Sequence, residues 1–218
     1  MNISERKRIG FYDYTVVLTY IGMLFAFTGV LFAVKCYFCG AILCLMSAGI
    51  CDMFDGAIAS TKKRTEPEKK FGIQIDSLSD LISFGVLPGI MAYEYSGEKL
   101  VVGVVAAVYV LAALIRLAYF NVLEEERQSR TTERRKIYLG VPVTSIAILL
   151  PAMFLLFEIE VAKGRMICFS FLLVITASGF LTPVQIKKPG KLGKLCIIAL
   201  GICELVGVVL LTDWGCWF

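Results

Sequence analysis

The chain reads as an all-α, polytopic transmembrane helix bundle of about seven spans, six to eight being admissible, with a cytoplasmic N-terminus. Three observations predict this. The 218 residues are 58% hydrophobic with a mean hydropathy of +0.77, far more apolar than a soluble domain of that length needs to be. Three runs, 14–34, 137–157 and 166–186, are uncharged for twenty-one residues each, about what an α-helix needs to cross the hydrocarbon core. The basic residues also segregate as loops on one face of a membrane should.

Taken in order, the candidate spans are 14–34, 36–60, 72–95, 99–123, 137–157, 166–186 and 195–213. The first follows Asp13 and is too long for a signal-peptide core, with no cleavage signature, so it is a retained span. The second and third carry aspartates, the fourth carries Arg116 with Asn121 beyond it, and the seventh carries Glu204. Pro142, Pro151 and Pro183 are read as kinks or span ends. With the N-terminus inside, the cytoplasmic segments hold Arg6, Lys7 and Arg8; Lys62, Lys63, Arg64, Lys69 and Lys70; Arg127, Arg130, Arg134, Arg135 and Lys136; and Lys187, Lys188, Lys191 and Lys194. The opposite side holds Lys35, Lys99, Lys163 and Arg165. Most of these cations serve as topology signals that also meet anionic lipid headgroups, and no nucleic-acid partner is implied. The amphiphilic start, Ile3 to Tyr12, is expected along the interface. No linker or repeat interrupts the chain, so residues 1–218 form a single membrane domain.

The eight cysteines lie mostly within or beside apolar spans and read as small packing residues. Cys36 and Cys39 form a lone C-x-x-C with no histidine in the chain, which argues against a zinc or redox site. Without histidine, a general base must come from Asp, Glu, Lys, Tyr or Cys.

Chemistry concentrates in residues 51–85, where Asp52, Asp55, Asp76 and Asp80 interrupt apolar sequence. The pairs are spaced i,i+3 and i,i+4, so on helices each pair shares a face. The basic connection from Thr61 to Phe71 is short enough for an antiparallel hairpin that brings all four acids together. Converging carboxylates call for a cation between them, and hard divalent ions, Mg²⁺ above all, suit oxygen ligands completed by water or phosphate. Two other classes remain at this stage: an ion-coupled transporter built on intramembrane acids, and a noncatalytic scaffold. The acids are bunched at one end of one hairpin without paired interrupted helices in inverted halves, which speaks against the first. The scaffold gives no reason for four acids in a glycine-punctuated pattern.

Asp52, Asp55, Gly56, Ala59, Gly72, Asp76 and Asp80 follow the pattern D-x-x-D-G-x-x-A-R…G-x-x-x-D-x-x-x-D, and so the chain resembles the CDP-alcohol phosphotransferases. The stretches DYTVVLTYIG, GIQIDSLSDLISFGVLP, RLAYFNV and YLGVPVTS resemble the phosphatidylserine synthase branch, over roughly residues 10–150. The resemblance implies transfer of a phosphatidyl group from CDP-diacylglycerol to L-serine, giving phosphatidylserine and CMP. Glycerol 3-phosphate or an inositol phosphate is the alternative acceptor. It further implies two divalent ions, Mg²⁺ or Mn²⁺, held by Asp52, Asp55 and Asp76, with Asp80 as general base and a contact to the second ion. Gly56, Ala59 and Gly72 take the positions that let the CDP moiety approach. The pattern's arginine is here Ser60, and eleven residues separate it from Gly72, so Lys62, Lys63 or Arg64 is expected to hold the diphosphate instead. Arg116 and Asn121 are candidates for the acceptor, against a structural pairing of Arg116 with an acid. A homodimer in the cell membrane, its active site facing the cytoplasm, completes what the resemblance and the charge pattern imply.

Overall fold

The computed structural model describes residues 10–130, 137–158, 162–187 and 190–211. Most of the expected interfacial start, Ile3 to Tyr12, and Arg6, Lys7, Arg8, Arg134, Arg135, Lys136 and Lys188 lie outside the described residues. Helix α1 runs Tyr14–Val34 and α2 runs Phe38–Ala59. At 1.5 Å per residue the first is about 31 Å long, the thickness of the hydrocarbon core. Asp13 starts it by accepting the Thr15 N–H at 2.8 Å, a side-chain cap for an otherwise orphaned donor. Gly22, Ala26, Gly29 and Ala33 form a buried stripe on α1. A Cβ on Gly29 would stand 2.9 Å from the Cys44 Cβ, and one on Gly22 3.2 Å from the Cys51 Cβ. Small residues therefore let α1 and α2 approach closely, as helix pairs in lipid commonly do.

The connection from α2 is shorter than the sequence predicts, because α3 already begins at Glu66 and runs Glu66–Asp80. The reason is local: Glu68 accepts the Thr65 backbone N–H at 2.7 Å and Pro67 lies in the first turn, a capping-box start. A π-helical turn follows at Leu81–Val86, then α4 at Leu87–Tyr95. Pro88 has no N–H, so the Phe84 carbonyl four residues earlier lacks its α-helical donor. The Tyr109 hydroxyl donates to that carbonyl at 2.5 Å, which ties helix α5 (Leu100–Arg130) to the turn just beyond Asp80.

The fifth span departs from expectation. Instead of one helix over 137–157, Ile137–Leu139 is a strand, β1, followed by a 3-10 turn at Val143–Ser145 and helix α6 at Ile146–Glu158. Gly140 takes φ +75°, a left-handed conformation suited to glycine, and Pro142 keeps Val141 out of the helical region. The strand pairs antiparallel with β2, Gln185–Lys187, in the register Ile137↔Lys187. Helix α7 accordingly spans Ala162–Leu181, ending before Pro183, and α8 spans Lys191–Leu211. Pro151 stays buried inside α6, while Pro142 and Pro183 mark ends.

Among the described residues, four helices are long and apolar enough to cross a membrane: Tyr14–Val34, Phe38–Ala59, the continuous Glu66–Tyr95, and Leu100–Arg127. The apolar helices Val143–Leu156, Met166–Leu181 and Leu195–Leu210 are shorter. The chain is a multi-pass membrane protein. Ile42, Leu45, Phe84, Leu87, Tyr109, Ile146, Leu150 and Leu173 fill its centre. Exposed Leu24, Phe27, Leu31, Val104, Val108 and Leu111 form outward faces suited to lipid, where an apolar surface costs nothing.

Polar contacts gather at one end. Tyr14 bonds Thr61 at 3.0 Å, Lys62 pairs with Asp13 at 2.9 Å, Lys70 pairs with Glu125 at 3.2 Å, and the β ribbon joins the α5–α6 and α7–α8 connections. The start of α1 and the connections α2–α3, α5–α6 and α7–α8 are thus tied together at one end of the bundle through their described residues.

Candidate active site

The site sits at that end, where α2 and α3 meet. One turn of α2 separates Asp52 from Asp55, one turn of α3 separates Asp76 from Asp80, and the antiparallel crossing turns both pairs inward. Asp52, Asp76 and Asp80 each place a carboxylate oxygen within 4.8 Å of the other two. The fourth acid, Asp55, lines the same cleft as Asp76 and accepts from the Thr19 hydroxyl at 3.4 Å. All four predicted acids converge, although the tightest triple contains Asp80 where the resemblance implied Asp55.

The donor set fits a divalent cation. At 4.8 Å two full negative charges repel by about 3.5 kcal/mol even at an effective dielectric of about 20, and the cluster holds several such pairs. Oxygens sharing one octahedral Mg²⁺ at about 2.1 Å stand about 3–4 Å apart, a spacing of the same order as that between these carboxylates. The neighbouring cleft, of about 130 Å³, is lined by Thr15, Val16, Thr19, Asp55, Gly56, Ala59, Arg64, Gly72, Ile73 and Asp76. It is open-sided and polar along one wall.

Gly56 shows what the cleft is shaped for. Beyond its chain neighbours and its own helix backbone, nothing lies within 4 Å of the point its Cβ would occupy, so its smallness serves no packing contact and leaves open space beside the cleft. Gly72 differs: a Cβ there would meet the Arg64 Nη1 at 2.8 Å, so the guanidinium lies against the glycine backbone. Ala59 lines the same wall, while the Ser60 hydroxyl turns back to donate to the Ala57 carbonyl at 2.7 Å. Of the three loop cations, Arg64 lines the cleft. Lys62 is engaged with Asp13 at 2.9 Å and Glu68 at 3.1 Å, and Lys63 is exposed.

Arg116 and Asn121 are not among the residues lining the cleft. Arg116 is buried, donates through Nε to the Val141 carbonyl at 2.5 Å and lies 6.0 Å from the centre of the Phe120 ring. It thereby holds the segment between β1 and α6 against α5. Asn121 accepts from the Ser77 hydroxyl at 2.8 Å, fastening α3 to α5 beside Asp76. Glu204 is buried at 4% exposure, and among the described residues neither of its oxygens has a hydrogen-bond partner.

Asp13, Thr15, Thr19 and Glu68 belong to the site's surroundings and were not singled out from sequence. Two signals were available, an acid directly before an apolar run and the T-x-x-E box at Thr65 to Glu68. The Thr15 hydroxyl and the Lys62 ammonium hold the Asp13 carboxyl down at about 2. Its contribution to stability is therefore full above the ordinary value of 3.8 and is lost progressively as pH falls from there through about 2.

The chain matches the CDP-alcohol phosphatidyltransferase family over residues 15–212. It is 33% identical over 138 residues to a CDP-diacylglycerol–serine O-phosphatidyltransferase of Helicobacter pylori, covering 62% of this chain and 53% of that one. It is 33% identical over 105 residues to the protein of that name from Saccharomyces cerevisiae, covering 47% and 37%. An archaetidylserine synthase of Methanothermobacter thermautotrophicus is 27% identical over 154 residues, covering 70% and 62%. The chain spans about half the length of the Helicobacter relatives it matches. No solved structure matches it. With the match running through nearly every helix described above, the chain belongs to the CDP-alcohol phosphatidyltransferase family.

Proposed function

We propose that the protein transfers the phosphatidyl group of CDP-diacylglycerol to L-serine, releasing CMP and phosphatidylserine. The observation that carries this reading is the convergence of four carboxylates beside a cleft whose wall is cleared at Gly56, in a family member similar to several serine transferases.

Asp52, Asp55 and Asp76 are the residues to hold two divalent ions, Mg²⁺ or Mn²⁺, with Asp80 close enough to share one of them. Bound there, the ions supply polarisation of the attacked phosphorus and neutralise charge on departing CMP. Arg64, resting against Gly72, and the open backbone at Gly56 position the diphosphate, leaving mainly orientation and electrostatics to the protein. Asp80 takes the proton of the serine hydroxyl as its oxygen bonds to the phosphorus carrying diacylglycerol and the bond to the CMP oxygen breaks. The Lys and Arg excess at the site's end of the bundle supports a cytoplasmic active site in the cell membrane, and the family supports a homodimer.

The test is an acceptor screen on purified protein in liposomes containing CDP-diacylglycerol with Mg²⁺ or Mn²⁺. Serine-dependent CMP release abolished by a chelator is the expected result. Release with glycerol 3-phosphate or an inositol phosphate and none with serine would overturn the acceptor assignment while preserving the reaction class.

A further inference from the structure

The loop between the acid pairs is fastened by groups from two other helix starts. Lys62 Nζ lies 2.9 Å from Asp13, the N-cap of α1, and 3.1 Å from Glu68, whose other oxygen accepts the Thr65 N–H that opens α3. Around this junction the Tyr14 hydroxyl meets Thr61 Oγ1 at 3.0 Å, and the Phe11 and Phe71 rings meet at a tilt with centres 5.2 Å apart. The Tyr20 hydroxyl in turn donates to the Phe11 carbonyl at 2.8 Å. Residues on both sides of Arg64 are therefore held, and its guanidinium rests against Gly72 at the cleft.

We propose that Asp13, Lys62 and Glu68 form a clasp of positioning residues that fixes the 60–65 loop so that Arg64 presents its guanidinium to the diphosphate of a cytidine nucleotide. The assignment rests on the proposed function for its ligand class. Its physical basis is preorganisation. A planar fork that donates two parallel hydrogen bonds recognises a phosphate only if held at the right angle, and a loop ordered before binding loses less freedom when the ligand arrives. Lys62 reaches two carboxylates at once, so α1, the loop and α3 are joined through one ammonium. Ser60 cannot substitute, because its hydroxyl is directed back to its own helix. The loop that lacks the arginine of the family pattern at position 60 recovers a cation from position 64.

The experiment uses the purified full chain in detergent with Mg²⁺, measuring CDP affinity by calorimetry and CMP release from CDP-diacylglycerol. Arg64→Ala is expected to weaken CDP binding about 30-fold and Arg64→Lys less. Lys62→Ala and Asp13→Asn should each weaken it about 3- to 10-fold and raise KM for CDP-diacylglycerol, with kcat and the KM for serine unchanged. Lys62→Arg should restore affinity. Because the clasp acts through Arg64, Lys62→Ala added to Arg64→Ala should cost nothing more. A full additional factor in the double variant would mean that Lys62 meets the nucleotide itself and would overturn the clasp, as would wild-type CDP affinity in Lys62→Ala. Nucleotide binding that follows this pattern without serine transfer would sink the proposed reaction and leave the clasp standing. A wild-type chain that binds no CDP would overturn the clasp.

Discussion

The four aspartates of the hairpin and Glu204 in α8 are both acid sites inside an apolar bundle, yet their surroundings differ. Around the aspartates the chain supplies a Thr19 hydroxyl, the Arg64 guanidinium in the cleft wall, an open cleft, and a Ser77–Asn121 bond that fastens α3 to α5. Around Glu204 neither carboxyl oxygen has a hydrogen-bond partner among the described residues, and its helix packs on α6 and α2 and supplies no residue to the cleft lining. Removing a charge from water costs several kcal/mol unless partners repay it. A group of carboxylates kept together with a cleft and a cation is organised for a ligand, whereas a lone one is not.

The sharpest way to break this contrast is at the proposed metal ligands. Asp52→Asn, Asp55→Asn and Asp76→Asn should each lower turnover by about 1,000-fold or more, as expected when transition-state charge stabilisation is lost. Raised Mg²⁺ or Mn²⁺ should recover part of it. CMP release measured across metal concentrations decides, and near-normal activity at ordinary metal would remove that residue from the ligand set.

Asp80→Asn should abolish serine transfer by about 100- to 10,000-fold, the range of general acid–base contributions, while retaining metal-dependent binding of CDP-diacylglycerol. Binding and turnover on the same preparation distinguish the roles. Joint loss would make Asp80 primarily a ligand, in keeping with its place in the 4.8 Å triple.

Two glycines sharpen the comparison between ligand space and packing space. Gly56→Ala puts a methyl where, beyond its chain neighbours and its own helix backbone, nothing lies within 4 Å, so KM for CDP-diacylglycerol should rise about 10-fold, or about 1.4 kcal/mol, with an unchanged melting temperature. Gly29→Ala pushes a methyl to 2.9 Å from Cys44 and Leu87. It should lower the melting temperature, with an overpacking cost of about 1–3 kcal/mol, and leave KM alone. The reverse pattern would show the cleft to be a packing defect.

The smallest effect belongs to Glu204→Leu. Replacing a buried carboxyl that has no partner by an apolar side chain is commonly neutral or stabilising, so turnover should stay within about twofold of wild type and the melting temperature should hold or rise. A large loss of turnover would place Glu204 in the same functional class as the hairpin and erase the contrast.

Legibility from sequence followed the range of the interactions. The helical hairpin and its acids could be read because i,i+3 and i,i+4 spacings act within one or two turns, and α1 matched its predicted bounds, 14–34, because an uncharged run bounded by Asp13 and Lys35 leaves little choice. The fifth span was misread because hydropathy does not register backbone conformation. The Gly140 and Pro142 that break it are as uncharged as their neighbours, and the strand at Ile137–Leu139 exists through pairing with Gln185–Lys187, nearly fifty residues away.

By itself, then, the sequence determined the membrane class, the one-sided distribution of cations and the four-acid pattern, since each depends on composition or on spacing along a single helix. The tertiary structure decided which loop cation reaches the cleft. Lys62, Lys63 and Arg64 are adjacent and equally charged, and they are sorted by partners far off in sequence: Asp13 claims Lys62 across 49 positions, and Gly72 leaves room for Arg64. It also decided that Arg116 braces the Val141 carbonyl outside the cleft and that Gly56 faces open space. A side chain's partner in a folded chain is set by which helices cross and at what register, and those are properties of packing that no local spacing encodes.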